Sequence, residues 1–201
     1  MRKATSVLAV GALHVALFAG TASAGTPAIF IGTDGDDYIS GTDGPAGDRI
    51  AALGRRDTVD AGGGSDLVDG GAGEDGGMDG PALFGDSPGH RADSSLDGDD
   101  AVRGGPGSDD LHGFGGDDLL AGGAGGDRLF AGEDRFRPRG QKVPTENPGT
   151  DRVRGGTGDD FVFAADGHPD RIDCGEGEKD SAHFDRGLDS VVYCEFENTG
   201  T

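Results

Sequence analysis

Nine residues separate Asp100, Asp109, Asp118 and Asp127, and each stands two places before an aliphatic residue, Val102, Leu111, Leu120 and Leu129. The four blocks read GDDAVRG, GPGSDDLHG, GFGGDDLLAG and GAGGDRLFAG. A short unit repeated at a fixed step marks a chain that coils, each turn burying its apolar residue against the next. The composition makes that period decisive. Gly numbers 42 and Pro 9 of 201 residues, 33% of the chain is hydrophobic and there is no Trp. Such a chain does not build a conventional globular core. It is either disordered or a solenoid, which needs little core per residue, and only the solenoid has a period.

The unit is six Gly-rich residues ending in Asp, then three residues with an aliphatic in the middle. We number the Asp position six and the aliphatic position eight. Earlier units place Asp37 before Ile39, Asp48 before Ile50, Asp57 before Val59 and Asp66 before Val68. GGAGEDGGM supplies Asp75, but Gly77 takes the aliphatic slot and the array stops. Later units supply Asp151 with Val153 and Asp160 with Val162. Residues 79–96 carry no clean unit, and 132–148 are Pro-containing and locally basic through Arg135, Arg137, Arg139 and Lys142. Both are expected to leave the stack as inserted loops. In the tail, Asp170, Asp180 and Asp189 precede Ile172, Ala182 and Val191 at looser steps of 10 and 9.

A three-residue strand sends its central side chain one way and its neighbours the other. Position eight therefore faces inward, and positions seven and nine face solvent. Two loops and two strands make one coil of 18 residues, so alternate repeats stack about 4.8 Å apart. Asp100 then approaches Asp118, and Asp109 approaches Asp127. Stacked carboxylates repel and lose solvation. The whole chain adds to this with a formal net charge of −21. A cation between the loops relieves both problems. Carboxylate and carbonyl oxygens, with no sulfur and little imidazole, suit calcium better than zinc or copper, and magnesium demands a stricter octahedron.

These units resemble the hemolysin-type calcium-binding (RTX) nonapeptide, G-G-x-G-x-D-x-U-x. The resemblance covers most of 32–163 and is closest at Gly104–Ala131 and Gly155–Phe163. It implies an all-β fold, a right-handed parallel β-roll with calcium between successive turns, held by the position-six Asp and by loop carbonyls. By matching position, Asp100, Asp109, Asp118, Asp127 and Asp160 take that role, and Asp37, Asp57, Asp66, Asp75 and Asp151 join them. The unit at Leu53–Asp60 departs by carrying Arg55 and Arg56 where loop glycine belongs, and the one at Gly41–Ala51 is overlong.

The N-terminus reads as a secretory signal peptide over 1–24: Arg2 and Lys3, an apolar run Val7–Phe18, then Ala22-Ser23-Ala24. The run is short for a span of about 20 residues, and no later segment is apolar enough to cross a membrane. In an exported chain the two cysteines, Cys174 and Cys194, predict a disulfide. It would close a C-terminal cap over 165–201, leaving 25–164 as the roll with its insertions.

The acidic pairs Asp36-Asp37, Asp109-Asp110, Asp117-Asp118 and Asp159-Asp160 recur with the repeat, whereas a glycosidase has one catalytic pair. The histidines form no H-E-x-x-H, and no G-x-S-x-G or Walker loop occurs. The chain therefore reads as a non-enzymatic, secreted calcium-binding protein with a structural or cell-surface role. Its acidity disfavours nucleic acid. An adhesion or matrix protein presenting 79–96 and 132–148 to extracellular glycans is the alternative. A calcium-dependent enzyme acting on polysaccharide is a third reading, opposed by the lack of any segment long enough for a catalytic domain.

Overall fold

The computed structural model describes residues 7–9, 26–42, 44–75, 82–85, 98–132 and 149–199. These form seventeen strands, β1 to β17 in chain order, and no helix. One sheet runs β1 (Val7–Ala9), β2 (Ile29–Ile31), β4 (Arg49–Ala51), β6 (Leu67–Asp69), β8 (Ala101–Pro106), β10 (Leu119–Ala124), β12 (Arg152–Thr157), β14 (Arg171–Glu176) and β16 (Ser190–Val192). The other runs β3 (Tyr38–Thr42), β5 (Thr58–Gly62), β7 (Leu83–Phe84), β9 (Asp110–His112), β11 (Arg128–Phe130), β13 (Phe161–Ala164), β15 (Ser181–Phe184) and β17 (Phe196–Thr199). Both sheets are parallel throughout. From β2 onward, strands alternate between the sheets, so two strands and two loops complete one coil of a parallel β-roll.

The register follows position eight. Ile50, Val68, Val102, Leu120, Val153, Ile172 and Val191 stack in the first sheet. Ile39, Val59, Leu83, Leu111, Leu129, Val162 and Ala182 stack in the second. All of these except Val191 are buried, and together they form the core between the sheets. The loops turn where glycine permits it. Gly123, with φ +122°, brings its Cα so close to the carbonyl of Gly105 that a Cβ would strike it.

Both interruptions leave the stack intact. β6 pairs directly with β8, and β10 with β12. Residues 79–96, expected to carry no unit, supply β7: Leu83 fills the slot that Gly77 vacates, between Val59 and Leu111. The extra chain thus enters between a position-six Asp and its own aliphatic. Most of the two expected loops, 76–81, 86–97 and 133–148, lies outside the described residues, as does the basic stretch from Arg135 to Lys142.

Not every position seven or nine faces solvent, as alternation alone would have it. On the second sheet Asp110, His112 and Phe130 are buried. Phe84 meets His112 at 5.1 Å between ring centroids, His112 meets Phe130 at 4.6 Å, and Phe163 meets His183 at 4.9 Å. Asp110 lies 3.0 Å from His112 Nε2 and 3.2 Å from Arg128 Nη2. Aromatic position-nine residues one strand apart shield one another from water, which alternation of polarity does not foresee.

The C-terminal segment continues the roll through β14 to β17 before it ends. Cys174 and Cys194 form the expected disulfide, with Cα atoms 5.2 Å apart, and Cys174 is fully buried in the core. At the other end Val7–Ala9, inside the segment read as a leader, lies against Ile29–Ile31 as the edge strand.

Candidate metal centre

Each coil places its position-six Asp at the entrance to a strand, where the carboxylate turns back toward the preceding coil. Along the first sheet the backbone N–H groups of Asp48, Asp66, Asp100, Asp118, Asp151 and Asp170 donate to Oδ1 of Asp66, Asp100, Asp118, Asp151, Asp170 and Asp189, at 2.6–3.0 Å. Along the second, Asp37, Asp57, Asp75, Asp109, Asp127 and Asp160 donate likewise to Asp57, Asp75, Asp109, Asp127, Asp160 and Asp180, at 2.7–2.9 Å. Two ladders of carboxylates therefore run along the roll, one beside each sheet.

The second oxygen of these carboxylates is the informative atom. Oδ2 of Asp57, Asp66, Asp75, Asp109, Asp127, Asp151, Asp160, Asp170 and Asp180 is buried with no hydrogen-bond partner. Asp100 and Asp118 are buried in the same ladder. Burial of an unpaired carboxylate oxygen is costly unless something positive meets it. Glycine makes the room. A Cβ on Gly104, Gly122 or Gly155 would collide with Oδ2 of Asp109, Asp127 or Asp160, five residues further on.

The electrostatics point the same way. Burial is the main cause that pushes Asp66 and Asp151 up to about 8, Asp57 and Asp127 to about 7, and Asp109 and Asp160 to about 6. The hydrogen bond from the preceding Asp opposes the shift, and the neighbouring ladder carboxylates add to it. Burial thus disfavours the charged form of these carboxylates, and a proton or a cation offsets that cost.

The ladder's N-terminal end differs. Asp37 is half-buried, and its Oδ2 accepts from Thr33 N at 2.6 Å and Thr33 Oγ1 at 3.0 Å. Asp48 spends both oxygens on backbone donors, Ala28 N at 2.7 Å and Thr42 N at 2.8 Å. Hydrogen bonds already satisfy these two. Asp57 is placed as the other eight expected site residues are, despite the arginines preceding it.

Outside the expected set, Asp48, Asp170, Asp180 and Asp189 also belong to the ladders, and Asp166 stands beside the first of them. Asp170 and Asp180 continue them into the tail, where the two-residue spacing to Ile172 and Ala182 was the available signal. Asp166 had none. Its loop brings it to Asp151 and Asp170, with one carboxylate oxygen of each within 4.8 Å of the others. Oδ2 of Asp166 is also unpaired, and Gly132 leaves the space beside it.

The donor set is hard oxygen. Both cysteines are in the disulfide, His112 and His183 are stacked on phenylalanines, and His168 meets Asp166 through its backbone N–H. A roll of parallel strands flanked by buried, under-satisfied carboxylates with glycine cradles defines a calcium-binding β-roll protein. The chain belongs to the RTX calcium-binding nonapeptide repeat family, four copies of which match residues 29–44, 42–76, 95–129 and 147–168, just over half of its length. No curated protein and no solved structure matches the chain.

Proposed function

We propose that the chain is a secreted protein whose roll folds on binding calcium, with the ladder aspartates as ligands and a structural or cell-surface role. The unpaired Oδ2 atoms carry this reading. Without a cation they oppose folding, and with one they bridge successive coils, so that binding free energy becomes folding free energy. Asp57, Asp66, Asp75, Asp100, Asp109, Asp118, Asp127, Asp151 and Asp160 would hold the ions together with loop carbonyls. Asp37, already hydrogen-bonded, would be the weakest ligand. Extracellular modules bind calcium at roughly 10⁻⁴–10⁻³ M, which would keep the chain expanded inside the cell and fold it outside. The apolar Val7–Phe18 run supports export. No helix among the described residues is long and apolar enough to cross a membrane.

Titration of calcium into residues 25–201, followed by circular dichroism, tests this reading. A cooperative gain of β signal is expected with calcium and not with magnesium. No gain, or an equal gain with magnesium, overturns it.

A further inference from the structure

The outward side of the first sheet breaks with the acidity of the chain. Arg152 and Arg171 stand directly opposite each other on β12 and β14, and Arg154 lies two residues on, on the same face. Strands there are about 4.8 Å apart, and like charges so placed repel. All three arginines are exposed, and none forms an ion pair among the described residues, although acidic residues outnumber basic ones 38 to 17. They border a groove of about 400 Å³ completed by Asp173, Ser190 and Val192.

We propose that this groove binds an anionic saccharide bearing carboxylate or sulfate groups. Guanidinium groups match both anions through paired N–H donors, and an anion between Arg152 and Arg171 removes their repulsion. The remaining walls favour a sugar over a bare ion. The Asp173 carboxylate and Ser190 hydroxyl accept hydroxyl donors, and Val192, 45% exposed, offers an apolar surface to a ring face. The volume lies within the range of small-ligand sites, about 300–1,000 Å³. A nucleic acid fits less well, because its closely spaced phosphates would meet exposed Asp117 before β10 and Glu176 at the end of β14. The proposal rests on the calcium-loaded roll, since only stacked strands set the arginines side by side.

Calorimetry on the full chain at fixed, saturating calcium tests it, with a sulfated galactose disaccharide, its unsulfated parent, inorganic sulfate and a short single-stranded oligonucleotide as probes. Calcium content per chain is measured alongside. The sulfated disaccharide is expected to bind in a salt-sensitive way and more tightly than the other three. R152Q/R171Q is expected to weaken it at least about tenfold with calcium content unchanged. R154Q, which leaves the cross-strand pair in place, is a second variant expected to weaken it in the same direction. Arg49, exposed on the same face but remote from the groove, provides the R49Q control, expected to have no effect. Binding unaffected by R152Q/R171Q and R154Q, or absent from the calcium-loaded wild type, overturns the proposal, as does equal or tighter binding of sulfate or the oligonucleotide. Failure to take up calcium at all would instead overturn the calcium reading.

Discussion

Oδ1 of Asp127 accepts the backbone N–H of Asp109 at 2.9 Å, while Oδ2 of the same carboxylate is buried without a partner in the space left by Gly122. One oxygen sets the register between coils. The other is available to a cation.

Asp127→Asn separates the two roles. Asparagine keeps an acceptor for Asp109 N–H but removes the charge and places an NH₂ donor where the cation would sit. Affinity at that site is expected to fall roughly tenfold, moving the calcium midpoint of folding upward. Asp69→Asn, at an exposed residue at the end of β6, should leave the midpoint unchanged. Equal shifts in both variants would contradict the ladder assignment.

Gly122→Ala fills the cradle. The new Cβ would meet Asp127 Oδ2 and stand 2.7 Å from the carbonyl oxygen of Gly155 on the next coil. Backbone cannot yield cheaply there, so a loss of about 1–3 kcal/mol is expected in denaturant unfolding at saturating calcium. Unaltered stability would mean the coils are spaced more loosely than described.

Without calcium, acid should stabilise the roll. The ladder carboxylates lie near 3.8 when unfolded and are raised by burial to about 6 at Asp109 and Asp160 and about 8 at Asp66 and Asp151. A raised folded-state value contributes stability that is fully present below about 3.8 and lost as pH climbs through 6 to 8. Circular dichroism in chelator should therefore show β structure near pH 4–5 fading by about pH 8. Calcium added at pH 8 should restore it, since metal replaces the protons. A metal-free roll that grows more stable with rising pH would refute this account.

Reduction of Cys174–Cys194 releases a loop spanning a sequence separation of 20. The chain-entropy model puts the cost near 3 kcal/mol. Hydrogen exchange in the double Cys→Ser variant should rise mainly in β14–β17, leaving β8–β11 protected while calcium is saturating. Uniform loss of protection would show instead that the disulfide supports the whole roll.

Arg55 occupies a loop position at φ +83°, against Gly73 of the next coil. Such a conformation costs an L-residue about 1 kcal/mol that glycine does not incur. Arg55→Gly should accordingly raise the calcium-saturated melting temperature. A fall would show that the arginine side chain contributes more than its backbone costs.

Much of the ladder was legible because a strict step converts a local pattern into a contact. Once Asp100 and Asp118 stand 18 residues apart in a two-strand coil, their stacking needs no further information. Leu83 was hidden because the extra residues entered between Asp75 and its aliphatic, which destroys the step but not the coil. Asp166 was hidden because it sits early in its loop, where the repeat carries glycine. His112 and Phe130 read as solvent-facing because alternation describes one strand and not the ring stacked on it from the next.

By itself, then, the sequence determined the coil, the inward aliphatic of each strand and the aspartate before it, since each depends on spacing within one unit. The tertiary structure decided which residues from different coils share a site. Asp166 reaches Asp151, and Arg171 faces Arg152, through stacking across steps that are not nine. Proximity there is set by hydrogen-bonded register between strands, and no periodicity along the chain encodes it.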